Sequence, residues 1–115
     1  MASLVTAQVG NGVTYVELTG ALDIWSAVEV RQGLATAIDR GGSAPRLAVD
    51  LRRVSFVDST GLGVLVGALR KARQDHGSMA LICTEGHPLR ILTRTGLTKV
   101  FHVYPSPEAL LDAAP

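Results

Sequence analysis

The chain has 115 residues, 47% of them hydrophobic, with 11 lysines and arginines against 10 acids and a single cysteine. That size predicts one domain burying roughly two thirds of its unfolded surface, and the lone Cys83 excludes an intramolecular disulfide. The scattered, nearly balanced charge leaves no footprint for nucleic acid or anionic lipid, and the lack of a signal-like segment or long apolar run reads as a soluble, cytoplasmic protein with no membrane partner.

Two β-like runs open the chain, Leu4 to Val9 and Val13 to Gly20, divided by Gly10-Asn11-Gly12. Asn-Gly there predicts an antiparallel hairpin, because both residues tolerate the positive φ of a primed turn. A helix is predicted from about Ser26 to Asp39, with Val28, Leu34, Ala35 and Ile38 on its apolar stripe, and Gly41-Gly42-Ser43-Ala44-Pro45 ends it. Arg46 to Leu51 reads as a buried strand. After Ser59, the residues Leu62, Leu65, Val66 and Leu69 recur at i, i+3, i+4, i+7, the period of an amphipathic helix. Arg70, Lys71 and Arg73 lie near its end, where cations complement the helix dipole, and Gly77 stops it. Met79 to Cys83 is a short apolar strand, His87-Pro88 opens a helix through about Arg94, and Gly96 is its C′ glycine. Lys99 to Val103 supplies a last strand, and Ser106-Pro107-Glu108 starts a terminal helix with Ser106 as cap. The order β-β-α-β-α-β-α-β-α predicts one α/β domain over residues 1–115, its mixed, mostly parallel sheet wound by right-handed crossovers with the first strand antiparallel at an edge.

The junction Phe56-Val57-Asp58-Ser59-Thr60-Gly61-Leu62-Gly63 concentrates the chemistry. A strand gives way to a helix there, so Asp58, Ser59 or Thr60 accepts hydrogen bonds from the unpaired amides of the first turn. Negative charge added at that point meets the positive end of the helix dipole. Other constellations are missing. His76, His87 and His102 share no metal-ligand spacing with one another or with Cys83, which excludes a His-type metal template. Ser59 is not in G-x-S-x-G, since Val57 occupies the first glycine position. Gly61, Gly63 and Gly67, with Glu85 near the end of the next strand, approach a dinucleotide fingerprint, but Gly67 is one position late and no phosphate loop exists. The glycines read instead as packing residues that let the helix approach the sheet.

The segment Leu18-Thr19-Gly20-Ala21-Leu22-Asp23, then Leu47-Ala48-Val49-Asp50-Leu51 leading to Val54-Ser55-Phe56-Val57-Asp58-Ser59-Thr60-Gly61-Leu62-Gly63, resembles the STAS domains. Within them it is similar to the anti-sigma factor antagonists of bacteria. The Pro88 helix and Thr95-Gly96-Leu97 before Val100-Phe101 fit the same pattern, so the resemblance spans nearly the whole chain. The resemblance implies a STAS-like fold and a partner-switching protein rather than an enzyme. In such systems the unphosphorylated antagonist binds an anti-sigma factor that is also a serine kinase, freeing a sigma factor. Phosphorylation of the serine after the aspartate, here Ser59, separates the pair, and a PP2C-type phosphatase resets it. ATP belongs to the kinase, so no cofactor is expected on this chain.

The partner-binding residues implied are Asp23, Asp58, Ser59, Thr60 and Gly61. Asp23 has a second reading as a cap for the helix near Ser26. Thr60 reads as a supporting cap. Trp25 is either an anchor on the rim or a cover for one end of the sheet, the latter preferred. The chain departs from the family at Ala21, where glutamate is common, and at the bulky Ile24-Trp25. Two other functions stay open: a non-switching STAS scaffold or transport accessory, against which Ser59 argues, and a small nucleotide-binding protein or enzyme, motivated only by the near-fingerprint glycines.

Overall fold

The computed structural model describes residues 3–9 (the backbone, with the Leu4 side chain) and 12–113. Their order is β1 (Ser3–Val9), β2 (Val13–Leu22), α1 (Ala27–Arg40), β3 (Arg46–Val57), α2 (Ser59–Gln74), β4 (Ser78–Ile82), α3 (His87–Arg94), a 3₁₀ turn (Leu97–Lys99), β5 (His102–Tyr104) and α4 (Pro107–Ala113). The strands form one sheet in the order β1-β2-β3-β4-β5. β1 pairs antiparallel with β2, with Val9 opposite Val13, as the hairpin signal predicts; Gly10 and Asn11 of its turn lie outside the described residues. All other pairings are parallel.

The hydrophobic period decides which face each element covers. α1, α2 and α3 bury their apolar sides against one sheet face, in a core that includes Val16, Leu18, Leu34, Ile38, Val49, Leu51, Leu65 and Leu92. α4 covers part of the other face through Leu110, over Val13, Ala48 and Ile82. The buried stripe of α1 is Ala27, Val30, Leu34, Ala37 and Ile38. Val28, expected on that stripe, points away and is 60% exposed, because the helix is phased by Val30 and Leu34, and Val28 lies outside their arc.

Two further expectations need correction. β3 does not stop at Leu51 but runs on to Val57, because its pairing with β2 continues through Thr19↔Arg53, Gly20↔Val54, Ala21↔Phe56 and Leu22↔Val57. Register shifts between Glu17 and Thr19 and between Gly20 and Ala21 accommodate extra residues of β3 there, and Gly20 bends at φ +85°, a conformation that favours glycine. The exposed pair Arg52-Arg53 breaks the apolar run without breaking the ladder. The last strand begins at His102 rather than Lys99, since the 3₁₀ turn takes up Leu97–Lys99. Ser106 does cap α4, its Oγ accepting from the Ala109 N–H at 3.1 Å.

The sheet is thereby covered by three helices on one side and one short helix on the other. The carboxyl ends of β2 and β3 emerge side by side. The loop Asp23 to Ser26 and the start of α2 consequently share one edge of the domain.

Candidate functional site

Asp58 is the N-cap of α2, with extended backbone at φ −100° and ψ −176°. Its Oδ1 accepts from the Gly61 N–H at 2.9 Å, which satisfies one of the free amides of the first turn. Its Oδ2 accepts from the Ile24 N–H at 3.3 Å, and its own N–H donates to the Leu22 carbonyl at 3.2 Å. One carboxylate therefore starts the helix and ties down the neighbouring loop. Of the three candidate caps it alone does so. Ser59, at the first helical position, is exposed, and neither its hydroxyl nor that of Thr60 makes a hydrogen bond among the described residues.

Gly61 is buried against the end of β2. A Cβ there would collide with the Leu22 carbonyl oxygen, so the close approach of α2 depends on glycine. Gly63 and Gly67 do not share that role. Both are exposed, and an added Cβ would meet nothing within 4 Å at either position. The expected packing glycines reduce to one. With Gly61 turned inward and the other two outward, no cradle forms from the near-fingerprint.

Asp23 organises the adjoining loop. Its Oδ1 accepts from the Trp25 N–H at 3.0 Å and the Ser26 N–H at 3.2 Å, while the Ser26 hydroxyl donates to the Ala21 carbonyl at 2.8 Å. Asp23 therefore closes the turn ahead of α1 rather than capping the helix, whose N-cap is Ser26 and carries no side-chain cap bond; the capping reading is corrected, because the carboxylate reaches only the amides before the first helical turn. This loop holds Trp25 with 92% of its surface exposed, so the indole covers no part of the sheet. The expected cover is corrected: the loop turns outward because Asp23 and Asp58 hold its backbone, and the core beneath is already filled by Leu22 and Val57.

His87, at the start of α3, closes the other side. Its Nδ1 accepts from the Val57 N–H at 3.2 Å and its ring stacks on Phe56 with centroids 4.9 Å apart. His87 thus joins the end of β3 to the start of α3 as a packing residue.

Sequence reasoning missed a second polar cluster. Asp50, in the middle of β3, is 1% exposed and receives Arg52 through a forked contact, Nε to Oδ1 at 3.0 Å and Nη2 to Oδ2 at 2.7 Å, with the Tyr15 hydroxyl donating to the same carboxylate. Burial alone would push the Asp50 carboxyl up. The hydrogen bonds from Arg52 and Tyr15 and the Arg52 charge outweigh it and hold the carboxyl below the usual carboxylate range. Burial, then the bond to Asp50, pushes the Tyr15 phenol up to about 12. The signal is the alternation Asp50-Leu51-Arg52, whose partner Tyr15 is legible only with the β2–β3 register, which pairs Tyr15 with Ala48, two residues before Asp50 on the same face of the strand. Cys83 is buried, which pushes its thiol up to about 11 and keeps it unreactive. No group of three metal-ligating side chains occurs among the described residues, and none of their helices is long and apolar enough to cross a membrane.

Comparison with known proteins agrees with this geometry. The chain is 35% identical over 95 residues to an anti-sigma F factor antagonist of Paenibacillus polymyxa, covering 82% of this chain and 80% of that protein. It is 32% identical over 88 residues to an anti-sigma-B factor antagonist of Bacillus subtilis, covering 76% and 78%. The crystal structure of an anti-sigma factor antagonist from Mycobacterium paratuberculosis superposes with a TM-score of 0.86 at 25% identity, over 98% of this chain and 93% of that one. The STAS domain model matches residues 5–110, and the chain belongs to the STAS domain family.

Proposed function

We propose that the chain is an anti-sigma factor antagonist whose binding is switched at Ser59. In the unphosphorylated state it binds a cytoplasmic anti-sigma factor with serine kinase activity and so releases a sigma factor. Phosphorylation of Ser59 ends the binding, and a PP2C-type phosphatase restores it. The chain acts as a binding partner and substrate, with no catalysis and no cofactor of its own. Asp23, Asp58, Thr60 and Gly61 frame the contact.

The observation that carries this reading is the division of labour at the start of α2. Asp58 does the capping, and Ser59 is exposed, its hydroxyl making no hydrogen bond among the described residues. A phosphate there adds nearly two negative charges at the positive end of the helix dipole, a placement the fold tolerates. In a complex the same dianion beside Asp58 brings bulk, desolvation and repulsion of any acidic partner group. The penalty falls on binding rather than on stability.

The test uses the serine-kinase anti-sigma factors of the same organism, each purified singly and incubated with the chain and ATP. One of them should add a single phosphate, mapped by peptide mass spectrometry to Ser59 rather than Thr60 or Ser55. Ser59→Ala should bind that protein as wild type does, and Ser59→Asp should bind at least about 10-fold more weakly. A phosphate located elsewhere, or equal affinity of the two variants, would overturn the proposal.

A further inference from the structure

The three most exposed large apolar side chains among the described residues are close in sequence, in the segment whose backbone is tied to Asp58. Ile24 is 64% exposed and Trp25 92% in the loop before α1, and Val28 is 60% exposed in its first turn. A tryptophan in water forgoes the burial its ring would gain in a core, so the fold obtains little from this one. The backbone beneath it is nonetheless held firmly. Asp23 fixes the Trp25 and Ser26 amides, the Ser26 hydroxyl is fixed to Ala21, and the Ile24 amide is fixed to Asp58. A rigid loop presenting an indole has the form of a preorganised interface anchor, since little conformational freedom remains to be lost on binding.

We propose that Ile24, Trp25 and Val28 form the hydrophobic anchor by which the chain docks on the anti-sigma factor that addresses Ser59, with Trp25 entering an apolar pocket of that partner. The inference rests on the reading of Ser59 given above. The occupant follows from continuity. The Ile24 amide is bonded to Asp58, the residue before Ser59, and a stable protein interface covers about 800 Å² on each side. A partner that closes over the Ser59 hydroxyl at that scale must also cover the neighbouring loop.

The patch also gives the switch its mechanism. Beside an apolar contact, a phosphate at Ser59 must give up hydration, so phosphorylation opposes docking on an apolar pocket even where the partner presents no acidic group.

The experiment titrates wild type, Trp25→Ala, Trp25→Phe and Val28→Ser calorimetrically into each purified serine-kinase anti-sigma factor of the organism. Trp25→Ala should weaken binding about 30-fold or more, with Trp25→Phe and Val28→Ser intermediate. The kinase should show a raised KM for Trp25→Ala with kcat unchanged, the signature of lost docking rather than lost chemistry. Thermal unfolding should not move, because the ring is exposed. If Ser59 is phosphorylated and wild type binds, but Trp25→Ala binds within about twofold, the anchor is overturned and the switch stands. If no anti-sigma factor binds or phosphorylates wild type, both fall. A wild-type dimer in light scattering that Trp25→Ala dissolves, with kinase affinity unchanged, would reassign the patch to self-association and overturn the proposal.

Discussion

Asp50 and Asp58 sit on one strand and just past its end, and the protein treats them in opposite ways. Asp50 is enclosed and answered by side chains, Arg52 and Tyr15, so its cluster is complete. Asp58 is half-buried and answered by backbone amides, those of Gly61 and Ile24, and the hydroxyl beside it makes no hydrogen bond among the described residues. A closed cluster contributes to the fold and offers nothing to a visitor. An open helix start stabilises the fold through its cap while leaving an adjacent group accessible to chemistry. Where side-chain hydrogen bonds go thus separates structural polarity from addressable polarity.

The contrast breaks first at Arg52. Arg52→Ala leaves a buried carboxylate with only the Tyr15 hydroxyl and the Arg52 amide, and should cost about 3 kcal/mol. Urea unfolding should show the midpoint falling with the slope unchanged; a loss below about 1 kcal/mol would mean that water replaces the guanidinium at little cost.

The glycines of α2 sharpen the comparison from the other side. Gly61→Ala drives a methyl into the Leu22 carbonyl and should cost about 2 kcal/mol, whereas Gly63→Ala meets nothing and should stabilise the exposed helix by about 0.5–1 kcal/mol. Thermal melts of the two proteins should move in opposite directions.

Asp58→Ala should cost about 1 kcal/mol as a lost cap, against a change within about 0.5 kcal/mol for Ser59→Ala. Equal losses would show that the serine shares the capping after all. Chemical denaturation of both variants at one pH settles it.

The smallest effect lies in the pH profile. Tyr15 titrates at about 12 in the fold, above its ordinary 10.0, so its contribution is complete below pH 10 and is lost as pH rises toward about 12. Asp50 is held below the carboxylate range, so its contribution is present above that range and is lost as pH falls through it. Tyr15→Phe should flatten the alkaline limb of a stability-against-pH curve; an alkaline limb unchanged from wild type would place that titration elsewhere.

Much of this architecture is local in origin. The hairpin pairing, the amphipathic α2, the Ser106 cap and the strand-to-helix junction at Asp58-Ser59 each depend on interactions within a few residues, which periodicity and capping chemistry expose directly. The same range explains the near misses. Val28 belongs to an apolar pattern but not to the phase that Val30 and Leu34 impose, and the Arg52-Arg53 pair interrupts a hydrophobic run that the ladder to β2 carries through.

The sequence by itself determined the order of elements, the edge hairpin and the position of Ser59 at the start of α2, because turns, caps and helix periods are short-range properties of the chain. Only the tertiary structure decided that Asp58 rather than Ser59 or Thr60 caps α2, that of the three α2 glycines Gly61 packs, that Trp25 faces outward, and that Asp50 meets Arg52 and Tyr15. Each of these depends on which strand lies beside which, in what register and under which helix. Parallel pairing joins residues far apart in the chain, so the contacts that leave Ser59 free exist only once the sheet has formed.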